Sequence, residues 1–286
     1  MAADLPLRSD RTRSARSDNA YAIPAVTPSK SQTEGDHARA RDRSRRRCVV
    51  HARRAADDGQ IAQLGFGWLC LDAQHGAFDD AAIVATMRAL AVLPARPPVA
   101  VRVAELSNAG IGRALDAGAD IVIVPMIETV AQAEAAVRAA HYPPLGGRSW
   151  GPLAGLWGGE AVSLAASRTE LWVMLETHAG VEAAESILAV DGVAGVLVGP
   201  FDLSIGLGVE LPAMLAADGP SEPLPAIVAA ARRTGRRAGA FAGDLTRAER
   251  LRELGFEAVA VTTDATLLAH GASVVLGAAA TGRTSF

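Results

Sequence analysis

A chain of 286 residues that is 50% apolar and only 4% aromatic can bury one large core, and single parallel α/β barrels commonly occupy about 250 residues. Residues 1–54 hold 13 of its 28 basic and 6 of its 31 acidic residues; the acidic remainder excludes a nucleic-acid groove or an anionic membrane surface as its natural partner, and no apolar run reaches the ~18 residues of a membrane span. Two cysteines, Cys48 and Cys70, build neither a disulfide framework nor a zinc cluster, so a reducing cytoplasm is the simplest setting.

Residues 1–53 are rich in Ser, Arg, Asp and Pro without apolar periodicity and are expected to be disordered. The run Arg39–Arg47 reads as a solvated tail rather than an RNA-binding or targeting segment, because no secretory-type apolar stretch follows it. The folded domain is expected over residues 54–286, where helices and strands alternate strictly. Helix Ala55–Leu64 precedes strand Phe66–Asp72, and helix Asp80–Leu93 leads to strand Pro98–Val103. Helix Ala109–Ala117, strand Ile121–Pro125 and helix Val130–Ala140 come next. Beyond a Pro/Gly-rich loop come helix Glu160–Ser167, strand Leu171–Thr177, helix Val181–Val190 and strand Gly195–Pro200. Helix Leu224–Thr234, strand Arg237–Gly243, helix Leu245–Leu254, strand Ala258–Asp264 and helix Ala265–Leu276 complete the series.

Repeated βα units make a doubly wound sheet or a (β/α)8 TIM barrel. Polar residues fall at the C-terminal ends of five strands: Asp72, Arg102, Glu176, Asp202 and Asp264. An open sheet concentrates its chemistry at one switch point, so this spread favours the barrel. Only seven strands are evident, and just Arg47–His51 has strand character ahead of them; the first strand is doubtful or replaced.

Lys30 is the single lysine. It lies in a polar segment without a core, which disfavours Schiff-base catalysis, since that chemistry needs a desolvated amine. Glu176 and Asp202 end consecutive strands and could offer two hard oxygen donors to Mg2+ or Mn2+; alternatively, both cap the helices that follow. Arg102 emerges from an otherwise buried strand and must be paired or functional: a partner for a developing enolate, or one half of an ion pair with Glu176 or Asp72. His75, just beyond Asp72, can trade protons near neutrality. The Gly146–Pro152 run fits neither a dinucleotide fingerprint nor a P-loop and reads as a flexible loop over the barrel mouth.

Taken in order, the stretches Gly65–His75, Pro98–Arg102, Arg113–Pro125, Tyr142–Pro152, Leu175–Thr177, Gly195–Ser204 and Gly255–Asp264 resemble the HpcH/HpaI aldolase family, relatives of the citrate lyase β-subunit. The resemblance implies a TIM barrel and a class II aldolase that joins a 2-oxo acid, pyruvate or hydroxypyruvate, to an aldehyde. It implies Glu176 and Asp202 as ligands of a divalent cation (Mg2+ or Mn2+, with Co2+ a further option), and Gly199, Pro200 and Phe201 around the oxo acid. Arg102 would stabilise the enolate, His75 would help move the proton of the aldol hydroxyl, and Asp72 would be a supporting acid. Asp116 matches an acid that in related enzymes reaches a neighbouring subunit's histidine, which implies a homo-oligomer, a trimer or hexamer. The alternatives are a CoA-thioester or oxaloacetate lyase of the same superfamily, and an inactive or regulatory barrel lacking its first strand.

Gln74, Met174 and Phe201 depart from the family, which often has Glu, Gln and a small residue at these positions. The family's Gly-x-Trp first strand has no counterpart in Arg47–Ala56. Residues 1–56 are therefore expected to derive from a shifted reading frame or a misassigned start.

Overall fold

The structure, a computed structural model, describes residues 48–51, 58–157 and 169–280. Contacts divide the chain into Met1–Ala38 and Arg39–Phe286, and the elements below belong to the second unit. The expected disorder over residues 1–53 falls outside the described residues except at Cys48–His51, which form a strand, and the expected helix Glu160–Ser167 lies outside them.

Among the described residues eight strands occur: β1 (Cys48–His51), β2 (Trp68–Asp72), β3 (Val99–Arg102), β4 (Ile121–Val124), β5 (Glu170–Leu175), β6 (Val193–Val198), β7 (Arg237–Phe241) and β8 (Ala258–Thr263). The seven from β2 to β8 form a parallel wall in chain order. Strand β1, in a stretch that composition alone assigns to the N-terminal segment, pairs in parallel with β2 and with β8 and joins the two edges.

Helices separate the strands: α1 (Asp58–Gln63), α2 (Asp80–Ala91), α3 (Asn108–Asp116), α4 (Val130–Ala140), α5 (His178–Glu182) and α6 (Ala184–Leu188). After β6 come α7 (Pro200–Leu207), α8 (Leu211–Ala216) and α9 (Pro223–Arg233), and then α10 (Leu245–Leu254) and α11 (Asp264–Ala280). Their starts follow capping chemistry: Asp79, Ser107, Thr129 and Asp244 each accept a first-turn amide hydrogen bond. The helix expected over Val181–Val190 begins earlier, at His178, because Thr177 supplies the cap, and it breaks at Ala183 into two short helices.

Side chains alternate across each strand, and the core divides accordingly. Residues such as Leu69, Leu71, Val99, Val101, Val173 and Val198 pack outward against the helices. Trp68, Cys70, Ala100, Trp172, Met174 and Leu197 form a second cluster on the inner face. Continuing the inward series along each strand gives Asp72, Arg102, Glu176 and Gly199. The pleat therefore delivers the site residues to one side of the wall.

Small inward residues make room for the large ones. A Cβ at Gly195 would stand 2.7 Å from Trp172 Cε2, and one at Gly239 would stand 2.8 Å from Trp172 Cζ3 and from the Ala258 carbonyl oxygen. Because the indole has no free volume to retreat into, Gly239→Ala is expected to cost about 1–3 kcal/mol, lowering Tm by ~2–4 °C per kcal/mol in differential scanning calorimetry. An unchanged Tm would mean that the indole is not packed against that backbone.

Candidate active site

The register sets Asp72 at the end of β2 beside Arg102 at the end of β3. Both side chains are nearly buried and meet as a fork, Nε donating to Oδ1 at 2.8 Å and Nη2 to Oδ2 at 2.6 Å. Asp72 also accepts the backbone N–H groups of Gln74 and His75 at 3.0 and 3.3 Å. Burial would raise its pKa, but the hydrogen bond and charge of Arg102, aided by these amides, hold it below the usual carboxylate range. Of the two ion-pair partners considered for Arg102, the structure selects Asp72. The remaining nitrogen, Nη1, faces Met174 Sδ at 3.8 Å.

Glu176 follows β5 and is 3% exposed. Its Oε2 accepts the N–H of Met126 at 3.0 Å, an amide aimed there by a left-handed backbone at Met126 (φ 56°), a conformation that bulky residues rarely adopt. Burial pushes the Glu176 carboxyl up; the Met126 amide opposes this, and the charge of Asp202 adds to the rise.

Asp202 does not end a strand. Strand β6 stops at Val198, and Asp202 stands in the first turn of α7, held there because Pro200 opens the helix at a position where a missing N–H costs nothing. Neither acid acts as a helix cap: Thr177 caps α5, and Gly199 occupies the cap position of α7 without a side-chain hydrogen bond.

Glycine at position 199 is what lets the two acids converge. A Cβ built there would lie 3.2 Å from Glu176 Oε1, 3.4 Å from Asp202 Oδ2 and 2.9 Å from Met174 Cε. Two carboxylate oxygens thus approach one small space that a methyl group would fill. Among the described residues no group of three or more His, Cys, Asp or Glu could hold a metal, so the protein itself offers two donors. That set fits a hard divalent cation whose other positions go to water and a chelating ligand.

Asp72, Arg102 and Asp202 line one cavity of about 440 Å3, together with Gly199, Pro200 and the exposed Phe201. His75 stands at its rim, exposed. Glu176 is not itself a lining residue; its Oε1 lies 3.2 Å from the position that a Cβ of the lining residue Gly199 would take. Sequence reasoning missed Phe241, Arg247 and Thr263, which also line the cavity, as does Cys70. The Cys70 thiol is pushed up to about 12 by burial, so it stays a neutral wall.

Asp116 is not brought to this cavity. It ends α3, shortly before β4 begins, on the face opposite the strand C-termini. Its Oδ1 accepts from Arg148 Nη2 at 2.5 Å, and its backbone oxygen accepts from Leu153 N at 2.8 Å. Arg148 also lies over the Tyr142 ring, 4.8 Å from the centroid. Residues 142–153 of the loop after α4 are therefore tied down near the strand N-termini and not over the mouth. The amides of Gly146, Gly147 and Arg148 bond to Tyr142, Arg138 and His141 carbonyls, so none is left to cradle a phosphate.

The Asp72–Arg102 fork makes a pH-dependent prediction. A carboxylate depressed by folding contributes stability that is full above its unfolded pKa, about 3.9, and is lost as pH falls through the lower folded value. Asp72→Asn, which strands a buried guanidinium, is expected to cost about 3–5 kcal/mol at pH 7. The difference from wild type should shrink as pH drops below 4 in urea denaturation. A penalty independent of pH would mean that packing, and not charge, holds the pair.

The profile of the HpcH/HpaI aldolase/citrate lyase family matches residues 48–271. A hydroxypyruvate/pyruvate aldolase from Pseudomonas aeruginosa is 38% identical over 215 residues, covering 72% of this chain and 78% of that one. A 4-hydroxy-2-oxo-heptane-1,7-dioate aldolase from Salmonella typhimurium is 32% identical over 225 residues, covering 75% and 82%. The crystal structure of an HpcH/HpaI aldolase/citrate lyase family protein from Burkholderia cenocepacia superposes with a TM-score of 0.75 at 28% identity, covering 84% of this chain and 98% of that one. With the family profile spanning most of its length and relatives above 30% identity, the chain belongs to the HpcH/HpaI aldolase/citrate lyase family.

Proposed function

We propose that this carbon–carbon lyase forms and cleaves 4-hydroxy-2-oxo acids through the enolate of pyruvate or hydroxypyruvate, with Glu176 and Asp202 holding a divalent cation, Mg2+ or Mn2+. The observation that carries the reading is the space at Gly199, on which the two acids converge. The substrates named for the Pseudomonas and Salmonella relatives support the same substrate class. When bound, the cation supplies a Lewis acid that polarises the oxo acid. The protein's own groups do the rest. Gly199 and Pro200 leave room for the oxo acid beside the two carboxylates, and Met174 and Phe201 keep water from it. Asp72 fixes the guanidinium of Arg102 by two of its nitrogens, so that the third, Nη1, is presented to the enolate oxygen. His75 at the rim moves the proton at the aldol hydroxyl oxygen.

We also read the wall as the (β/α)8 barrel of the family, with Cys48–His51 serving as its first strand, and the protein as a cytoplasmic homo-oligomer. No helix among the described residues is long and apolar enough to cross a membrane. Helix α11 nevertheless exposes Leu268, Val274, Val275 and Leu276, each by more than half, a patch of the kind that subunit contacts cover. Within such an oligomer Asp116, remote from its own cavity, serves a neighbouring subunit.

Deuterium exchange at the pyruvate methyl group tests the chemistry without knowledge of the aldehyde. Exchange is expected with Mg2+ or Mn2+ and is expected to vanish in Glu176→Ala. No exchange with any divalent cation in a folded sample would overturn the reading. Arg102→Ala should lower kcat by about 10^2–10^3-fold while calorimetry still detects Mn2+ binding. Equal loss of both would make Arg102 a structural residue only. Gly199→Ala, whose methyl occupies the convergence point, should remove the thermal stabilisation given by Mn2+; retention of that stabilisation would place the cation elsewhere.

A further inference from the structure

A second guanidinium faces the cavity. Among the described residues the cations lining it are Arg102 and Arg247, apart from the ionisable His75. Arg102 ends β3, and Arg247 stands in the first turn of α10, immediately beyond β7. The two strands lie four places apart in the order of the sheet, so the arginines enter the cavity from well-separated parts of the wall. Arg102 is taken up by Asp72. Arg247 is half exposed, and its guanidinium has one charged neighbour among the described residues, Asp244 Oδ2, at 3.3 Å from Nε. That pair is long and solvated, the kind that holds its partners weakly.

Local energetics do not call for a cation at this position. Asp244 is the N-cap of α10 and accepts the Arg247 amide, which makes Arg247 the third helical residue. An acid is favoured there, because the free amides of a first turn carry partial positive charge. Placing a guanidinium among them concentrates positive character at one edge of the cavity. The nearby lining is apolar: Leu211 and Leu215 from α8, Phe241 from β7 and Leu251 from α10. Close by, a Cβ at Gly243 (φ 80°) would lie 3.6 Å from Phe241 Cε1 and 4.0 Å from Arg247 Nη1.

We propose that Arg247 is a specificity-determining residue that binds the carboxylate of an acceptor aldehyde whose short aliphatic chain lies along this apolar wall. The inference rests on the aldolase reading for the identity of the aldehyde. A carboxylate matches a single fork of guanidinium donors. Free energy realised at the tail, away from the reacting carbon, lowers KM for the anionic acceptor and gives an uncharged acceptor of similar length no advantage.

The test compares 4-oxobutanoate with pentanal as acceptors for pyruvate, at fixed ionic strength, in wild type, Arg247→Met and Arg247→Lys. Wild type is expected to favour 4-oxobutanoate in kcat/KM. In Arg247→Met the ratio of the two values should fall at least ten-fold, mainly through KM for 4-oxobutanoate, and Arg247→Lys should restore part of it. An unchanged ratio in a variant that turns over both aldehydes overturns the proposal. A second readout separates this claim from the aldolase reading: ligand-observed NMR of butyrate and butyramide with the metal-free protein. Discrimination between them that disappears in Arg247→Met supports the anion site even where pyruvate exchange is absent and the aldolase reading fails. Equal binding of both probes to wild type and variant overturns the site even where exchange is present.

Discussion

Two acids that repel each other, pressed toward one position that has no side chain, are the constraint on which the rest of this structure depends. Glu176 and Asp202 approach the point where a Cβ of Gly199 would stand from different elements, one from the end of β5 and one from the first turn of α7. Burial and the Asp202 charge already make it costly for Glu176 to ionise. In the proposed function a cation would remove the repulsion and take up the oxygens. The left-handed backbone at Met126, which aims an amide at Glu176, fits the same pattern of local cost at a working site.

The neighbouring pair has the opposite balance. Asp72 and Arg102 neutralise each other through two short hydrogen bonds, and both stay charged in a nearly buried place. Their fork leaves Nη1 toward the cavity, against the soft sulfur of Met174. A thioether competes weakly for that nitrogen, so an incoming oxyanion is the better partner. The site thus combines one unbalanced charge pair with one balanced pair: the strand pleat turns Asp72, Arg102 and Glu176 inward, and the first turn of α7 carries Asp202.

Much of this was legible in the chain. Alternation of apolar strands with helices located seven strands, and the polar residue ending each run named Asp72, Arg102 and Glu176, because an apolar strand that finishes in a charge must deliver it somewhere. What failed did so for local reasons. Asp202 looked like a strand terminus since Val198-Gly-Pro-Phe is apolar throughout, yet Pro200 starts a helix and lifts the acid one turn away. The glycine-rich stretch at residues 146–152 suggested a flexible loop over the mouth, but the amides of Gly146, Gly147 and Arg148 bond to carbonyls at and just past the end of α4, and Arg148 is clamped by Asp116. Arg247 was missed because an arginine in a charged amphipathic helix draws no notice. The available signal was its place, three residues after the cap Asp244, where an acid belongs.

The most direct measurement is anomalous X-ray scattering from crystals of the protein grown with Mn2+ and oxalate, a stable mimic of the pyruvate enolate. The account predicts one strong manganese peak in contact with Glu176 Oε1 and Asp202 Oδ2, next to Gly199, with oxalate completing the coordination and approaching Arg102. A folded protein whose manganese lies at other residues, or that binds none there at saturating concentration, would contradict it.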